Sequence, residues 1–327
     1  MLHKLTNTTG PLDKLIVGIH SFAKYLPDNK IHVSQWAEEF RKNQEFIQRM
    51  TKEHGLKYYY RANQNDSIIH MCSEAVQRIM ERKDISPEKI DLVLLFHTVQ
   101  TSIPLPPKSV TTAIISNFNM INAVGFSLAQ QNCVSFIASL QIIKHIMSCR
   151  PNIKNVIVIG ADKAPSESQR NIEGYQMESD AAVAALVRRD CNRHRILNTG
   201  VVVDGKHYRG FQISDTQTSA DASMRTAYLT LYKLVKNTIK DYIELDKITK
   251  ILPHNVNPAG LRQIERSLRV TNGMMFMDNI SDKGHMYGCD GIINLIDCEG
   301  KHIHPEDYYI IISIGYGRAY GCALMQA

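Results

Sequence analysis

The sequence predicts an α/β protein with buried sheets, organised as two similar halves. Three observations predict it. Continuous apolar runs of strand length, at residues 91–96, 155–160, 180–187 and 308–314, mark strands covered on both faces. Stretches with apolar residues at helical spacing alternate with them, which is the pattern of layered helices and sheets. Residues 86–98 also resemble residues 246–257: each has a short acidic-basic lead, then a strand, then a polar tip. At 327 residues the chain is too long for one small core and suits two packed halves. We divide it into 1–200 and 201–327, with the join lying within 190–215.

Residues 14–21 are apolar and β-branched and read as a strand. Residues 33–50 read as one helix carrying the only tryptophan, Trp36. In 66–82, Ile68, Ile69, Met71, Cys72, Ala75, Val76, Ile79 and Met80 recur at helical spacing. Ser86 followed by Pro87 is a helix-start signal, but a buried strand comes next, at 91–96. A Pro-rich loop at 101–107 leads to a helix at 109–118. Residues 125–128 lead into Cys133, and 134–147 are helical. The strand at 155–160 is followed by a loop, 161–175, and by a small-residue strand at 180–187. Next come a long helix at 219–243, a strand at 248–252 that ends at His254, and a helix at 258–268. Residues 284–295 begin with glycine and histidine and turn apolar. The strand at 308–314 runs into a Gly-rich segment from Gly315 to Gly321, whose spacing is wrong for a dinucleotide loop and which no βαβ unit follows.

Apolar residues make up 44% and charged residues 21%, the balance of a soluble globular chain. No apolar run is long enough to span a bilayer, and residues 1–13 are polar with no secretory signal, so a cytoplasmic setting is expected. The seven cysteines, Cys72, Cys133, Cys149, Cys191, Cys289, Cys298 and Cys322, are odd in number and contain no C-x-x-C. This argues against a disulfide framework and a structural zinc site. Net charge is +6, with Lys and Arg scattered and no aromatic-basic interleaving, which excludes a nucleic-acid binder and suits an acidic partner.

Four residues stand out for chemistry. Cys133 lies between a strand-like segment and a long helix, where the helix N-terminus favours a thiolate; the bland alternative is an inert buried thiol. His254 stands where a buried strand ends, the place where α/β folds put functional groups. His285 follows Gly284 in a tight turn, and Asp290 lies five residues on.

Together these pieces resemble β-ketoacyl-acyl carrier protein synthase III and its relatives, in order along nearly the whole chain. Residues 16–27, with 55–57 and Arg61, resemble the family's opening, and 90–98 its strand before a Pro-containing loop. Cys133 sits where the family keeps its nucleophile, 155–162 and 179–184 match two further strands, 251–257 resemble its histidine motif, and 315–324 its closing Gly-rich hairpin. The resemblance implies a thiolase-like fold: two similar βαβαβαββ halves forming a five-layered αβαβα core, usually as a homodimer. It implies that acyl-CoA or an acyl carrier protein loads an acyl group on Cys133 as a thioester, which then passes to an acceptor. Backbone N–H groups, including that of Cys133, would form the oxyanion hole. Neither a tightly bound cofactor nor a metal is implied, the phosphopantetheine thioester being substrate.

The departures bear on the third catalytic residue. The family's asparagine follows a glycine, and aligning that glycine with Gly284 puts His285 in its place, as in the Cys-His-His elongating synthases. Asn279 is an alternative, about five residues early. Secondary-metabolism relatives that acylate a hydroxyl or amine share the Gly-His…Asp stretch, and there Asp290 would complete the triad. His285 favours carbon–carbon condensation, in which two neutral imidazoles donate to an enolate. Asp290 favours transfer to oxygen or nitrogen, with a histidine as base. Val134 and Ser135 replace the family's small pair after the nucleophile. A non-catalytic partner subunit of a heterodimer and a thioesterase are the other readings. For coenzyme A contact we single out Trp36, Asn257 and Arg262; Arg262, Arg266 and Arg269 share one helix face, and Arg41 and Lys42 lie near Trp36. The loops at 161–175 and 204–224 are expected to set pocket depth.

Overall fold

The computed structural model describes residues 15–172, 176–207, 217–271 and 273–327. The first half contributes β1 (Val17–Tyr25), β2 (Asn29–His32), α1 (Val33–Glu39), α2 (Gln44–Gln48), β3 (Tyr58–Arg61) and α3 (Ile68–Met80). It continues with β4 (Leu92–Phe96), α4 (Val110–Asn117), β5 (Val124–Leu128), α5 (Ser135–Cys149), β6 (Asn155–Asp162), β7 (Asn171–Ile172), β8 (Gln176–Met177) and β9 (Ala181–Arg189). The second half holds β10 (Arg195–Val203), α6 (Gln217–Ile239), β11 (Ile248–Leu252), α7 (Pro258–Leu268), α8 (Ile280–Lys283), α9 (Asp290–Cys298), β12 (Tyr308–Ile314) and β13 (Ala319–Gln326).

Among the described residues the main sheet has nine strands in the order β11-β12-β13-β10-β1-β9-β6-β4-β5. The order β1-β9-β6-β4 in one half repeats as β10-β13-β12-β11 in the other, and the pairings repeat too: antiparallel, antiparallel, parallel. The 3₁₀ turns Pro87–Lys89 and Leu245–Lys247 precede β4 and β11, so the matching leads seen in the sequence fold alike. The halves join where β1 meets β10, at Gly18 opposite Arg195.

Alternation along each strand sorts the side chains into layers. Leu92, Leu94 and Phe96 of β4 and Val183, Ala185 and Val187 of β9 face a cluster that also receives Tyr309 and Ile311 of β12 and Ala323 and Met325 of β13. That shared cluster is filled by α5, through Phe136, Ile137, Leu140 and Ile143, and by α9, through Ile292, Ile293 and Leu295. The opposite strand faces, Val93 and Leu95 in one half and Ile310 and Ile312 in the other, pack on α3 and α4 or on α6 and α7. The result is the thiolase-like stack: helices, sheet, central helices, sheet, helices. Close approach between layers requires glycine at two points. A Cβ at Gly160 would meet the Phe96 ring at 2.0 Å, and one at Gly321 would meet Val134 and Ile137 of the central layer at 2.8 and 2.9 Å.

Two elements differ from expectation. The helix expected over 33–50 breaks into α1, α2 and a wide turn at Arg49–Glu53. Arg41 adopts a left-handed φ of 51°, and Asn43 caps a new start by accepting from the Phe46 amide at 2.9 Å. The stretch near the expected join holds a full strand, β10, which runs through residues 200 and 201. Its Asn198, Thr199 and Gly200 interrupt the apolar pattern, and Gly200 lets α6 approach so that a Cβ would meet Leu234 at 2.7 Å. Residues 173–175 and 208–216 of the expected pocket loops lie outside the described residues, as does the segment 1–13.

Candidate active site

The two central helices are each preceded by a 3₁₀ turn, Asn132–Val134 before α5 and Tyr287–Cys289 before α9. These turns touch, so the repeated fold brings the start of one helix from each half to one place. Cys133 lies in the first turn and is 3% exposed, walled by Val99 and Tyr287. Its Sγ stands 3.7 Å from His285 Nε2. The other ring nitrogen of His285 lies 2.5 Å from Asp290 Oδ2, at the first residue of α9. Asp290 is saturated with donors: it accepts from the Met286 amide at 2.9 Å, the Asn255 amide at 2.9 Å and Asn255 Nδ2 at 3.0 Å. This carboxylate fixes the imidazole with Nδ1–H toward itself and Nε2 toward sulfur.

His285 is held in place by its backbone. Its amide donates to the Met177 carbonyl at 2.8 Å and its carbonyl accepts from the Ser179 amide at 2.8 Å, so residue 285 pairs with Glu178 as in a parallel ladder. Gly284 makes this possible: its φ is 67°, and a Cβ there would meet the Met177 carbonyl oxygen at 2.8 Å.

His254 follows β11, and its ring centroid is 5.0 Å from that of His285. Ser313 of β12 donates to the Cys133 carbonyl at 2.8 Å and lies 2.6 Å from His254 Nε2. A hydroxyl has one proton and a carbonyl can only accept, so His254 Nε2–H is the donor to Ser313.

The charges follow from these contacts. Burial pushes the His254 imidazole down, the neighbouring His285 pushes it further, and it reaches about 3, so it is neutral. Burial also acts to lower His285, but Asp290 and Glu178 outweigh it and hold His285 well above the ordinary histidine range. Burial pushes the Cys133 thiol up, and His285 opposes this. The expectation that the helix end lowers this thiol is therefore corrected: the position is as expected, but desolvation dominates and the counter-pull comes from His285.

Cys133, His254, His285 and Asp290 are thus brought together, and Asn279 is not. Its side chain is spent on Asn294 Oδ1 at 2.8 Å, Asp297 Oδ2 at 2.9 Å and Lys283 Nζ at 2.9 Å, a clamp behind α9. Trp36 is corrected as well: it is buried at 2% exposure, donates to the Glu167 carbonyl at 2.8 Å and stacks on Phe40, so it offers no face to a nucleotide. Asn257 caps α7 by accepting from the Ala259 amide at 2.8 Å. Arg262, Arg266 and Arg269 are exposed on that helix or at its end. Sequence reasoning missed Ser313, Asn255 and Glu178. The ligand-type atoms of Cys133, His254 and His285 lie within 4.8 Å of one another, but a His285 held protonated has no lone pair for a metal ion.

The sequence model of 3-oxoacyl-(acyl-carrier-protein) synthase III matches residues 129–205, the stretch that contains Cys133. The β-ketoacyl-(acyl-carrier-protein) synthase III of Campylobacter jejuni is 24% identical over 271 residues, covering 79% of this chain and 81% of that protein. The enzyme of the same name from Caldanaerobacter subterraneus is 21% identical over 337 residues, covering 96% and 98%. Among solved structures, the 3-oxoacyl-(acyl-carrier-protein) synthase III of Aquifex aeolicus superposes with a TM-score of 0.79 at 18% identity, covering 95% of this chain and all of that one, 100%. ChlB3, an acyltransferase, superposes with a TM-score of 0.82 at 17% identity, covering 95% and 98%. The chain is synthase III-like in sequence along most of its length and shares the fold over 95% of it.

Proposed function

We propose that this synthase III-like protein is an acyltransferase that takes an acyl group from acyl-CoA or an acyl carrier protein onto Cys133 and passes it to a hydroxyl or amine. The observation that carries this reading is the unbroken chain Cys133–His285–Asp290, with steps of 3.7 and 2.5 Å. A charged His285 stabilises the Cys133 thiolate that attacks the donor thioester. His254 stands beside it as a neutral ring with its Nε2–H given to Ser313, and the Cys133 amide, in the turn before α5, faces the developing oxyanion. The Asp-held histidine favours transfer to oxygen or nitrogen over condensation, which uses two neutral imidazoles. The intact relay also speaks against a non-catalytic partner subunit, and a thioesterase would use water as acceptor at the same residues. Arg262, Arg266 and Arg269, exposed on the helix after His254, are the side chains we assign to the donor's phosphates.

The expected partner is a second copy of the chain. Among the described residues β5 ends the sheet and pairs with β4 alone; it exposes Val124 and Phe126 at 64 and 39%, and the turn before it exposes Ile121 at 69%. An open apolar edge of this kind is a site for strand pairing.

The deciding experiment is intact mass spectrometry of wild type and Cys133→Ala after incubation with acyl-CoA and acyl-carrier donors. A mass gain equal to the acyl group, absent in the variant, is expected. No adduct on folded wild type with any donor would sink Cys133 as the nucleophile and return the partner-subunit reading to first place.

A further inference from the structure

We propose that Glu178 is a further catalytic residue, the group that takes the acceptor's proton when the acyl group leaves Cys133. This rests on the acyl-transfer reading above. Glu178 is 1% exposed, yet one of its carboxyl oxygens has no hydrogen-bond partner among the described residues. Oε1 accepts from Gln176 Nε2 at 2.7 Å, and the same amide reaches the Tyr316 hydroxyl at 3.2 Å. Oε2 is buried and unpartnered. A buried acceptor left without a donor is costly, and one at a reaction centre is explained by a donor that arrives with the substrate.

Its position fits that role. Glu178 and His285 are bridge partners, so their side chains leave the same face of the ladder, the face on which His285 reaches Cys133. The charges that act on it are those of His285, Asp290 and Arg170, and its own charge is felt in turn at Cys133 and Tyr287. The other bases are unsuited. His285 is held as an imidazolium between Asp290 and Glu178 and has no lone pair to offer. His254 sits at about 3, with its Nε2 hydrogen committed to Ser313, and is a poor base. Burial lifts Glu178 to about 7, with His285 and Gln176 pulling it back, which matches a base that works near neutrality.

The cycle then closes without a change at His285. In loading, the Cys133 thiolate attacks the donor carbonyl, the bond to the donor sulfur breaks, and that sulfur leaves as a thiolate; Glu178 meets the acceptor as a carboxylate and gives the proton it collects to water before the next round. In transfer, the acceptor oxygen or nitrogen attacks the Cys133 thioester carbonyl and gives its proton to the Glu178 carboxylate. The carbon–sulfur bond breaks, and the thiolate returns to its pairing with His285.

The test compares wild type with Glu178→Gln. Each is loaded with octanoyl-coenzyme A and freed of donor, and the acyl-enzyme is followed by intact mass in water, with 1-propanol, and with coenzyme A at a pH where its thiolate is present. Loading and return to coenzyme A need no base and are expected within about threefold of wild type, whereas discharge to water and propanol falls about 100-fold, the usual scale of general-base catalysis. Wild-type discharge to propanol is expected to lose rate below about pH 7, and the variant to lose that limb. Unchanged discharge in Glu178→Gln would overturn the proposal. So would loading slowed as much as discharge, because Glu178 would then act only through the charge of His285. If the variant does not fold, the wild-type profile decides: a rate flat between about pH 5 and pH 9 overturns the assignment. Absence of any thioester on wild type is a different result, which removes the acyl-transfer reading and this inference with it.

Discussion

At Cys133 burial and pairing act in opposite directions, and the balance is set by one contact. Desolvation raises the thiol, and His285, kept charged by Asp290 and Glu178, stabilises the thiolate. Removing His285 leaves the desolvation unopposed. His285→Ala is therefore expected to slow iodoacetamide labelling of Cys133 by at least about 100-fold at neutral pH, since the thiolate is the reactive species. Mass spectrometry of the labelled protein checks this, and labelling at the wild-type rate would show that the helix end alone activates the sulfur. His254 makes a second, separable statement. Its folded value of about 3 lies below that of a free histidine, so protonation is disfavoured in the folded state. Stability from this group is complete above about pH 6.5 and is lost as pH falls toward 3, at about 1.4 kcal/mol per unit. Between pH 7 and 5 wild type should lose about 2 kcal/mol more than His254→Gln in urea unfolding, and equal losses would place His254 in water. Cys133, His254, His285 and Asp290 could be picked out from the sequence because each occupies a telling local place: a helix start, a strand end, a turn after glycine. Glu178 and Ser313 could not, because their meaning comes from contacts across 107 and 180 residues of chain.

At the scale of elements, what the sequence shows best is the buried framework. The helix at Pro258–Leu268 and the strands at Ile248–Leu252 and Tyr308–Ile314 have the bounds their patterns predict. Segments whose pattern is mixed are read poorly. The charged and polar residues 41–43 split one expected helix, and Asn198 to Gly200 hide β10 in what reads as a connection. Trp36 misled for a related reason: its neighbours Arg41 and Lys42 are exposed, but its own ring turns inward against Phe40 and Phe46. The central helices carry the most weight in packing. Phe136 of α5 sits in the cluster shared by both sheets, 5.4 Å from the Phe96 ring. Phe136→Ala is expected to cost about 3–5 kcal/mol, measured by chemical denaturation, and a cost below about 1 kcal/mol would show that the layer closes over the gap.

At the scale of the whole molecule, the unpaired edge at β5 predicts association. Val124→Lys with Phe126→Lys places two charges on that edge and is expected to shift the protein from dimer to monomer in light scattering, since inward or edge charges are what nature uses to stop strand pairing. An unaltered mass would move the interface elsewhere. The join between the halves has a consequence of another kind. The nucleophile belongs to the helix of one half, its histidines and Asp290 to the other, and both helices are embedded in a single apolar cluster. The thioester can therefore form only while the two repeats are docked, and the ability to carry an acyl group becomes a molecular gauge of their union. In a denaturant series, acyl loading should vanish at the same midpoint as helical circular dichroism. Two chains that each carry one repeat should be silent apart and active when mixed.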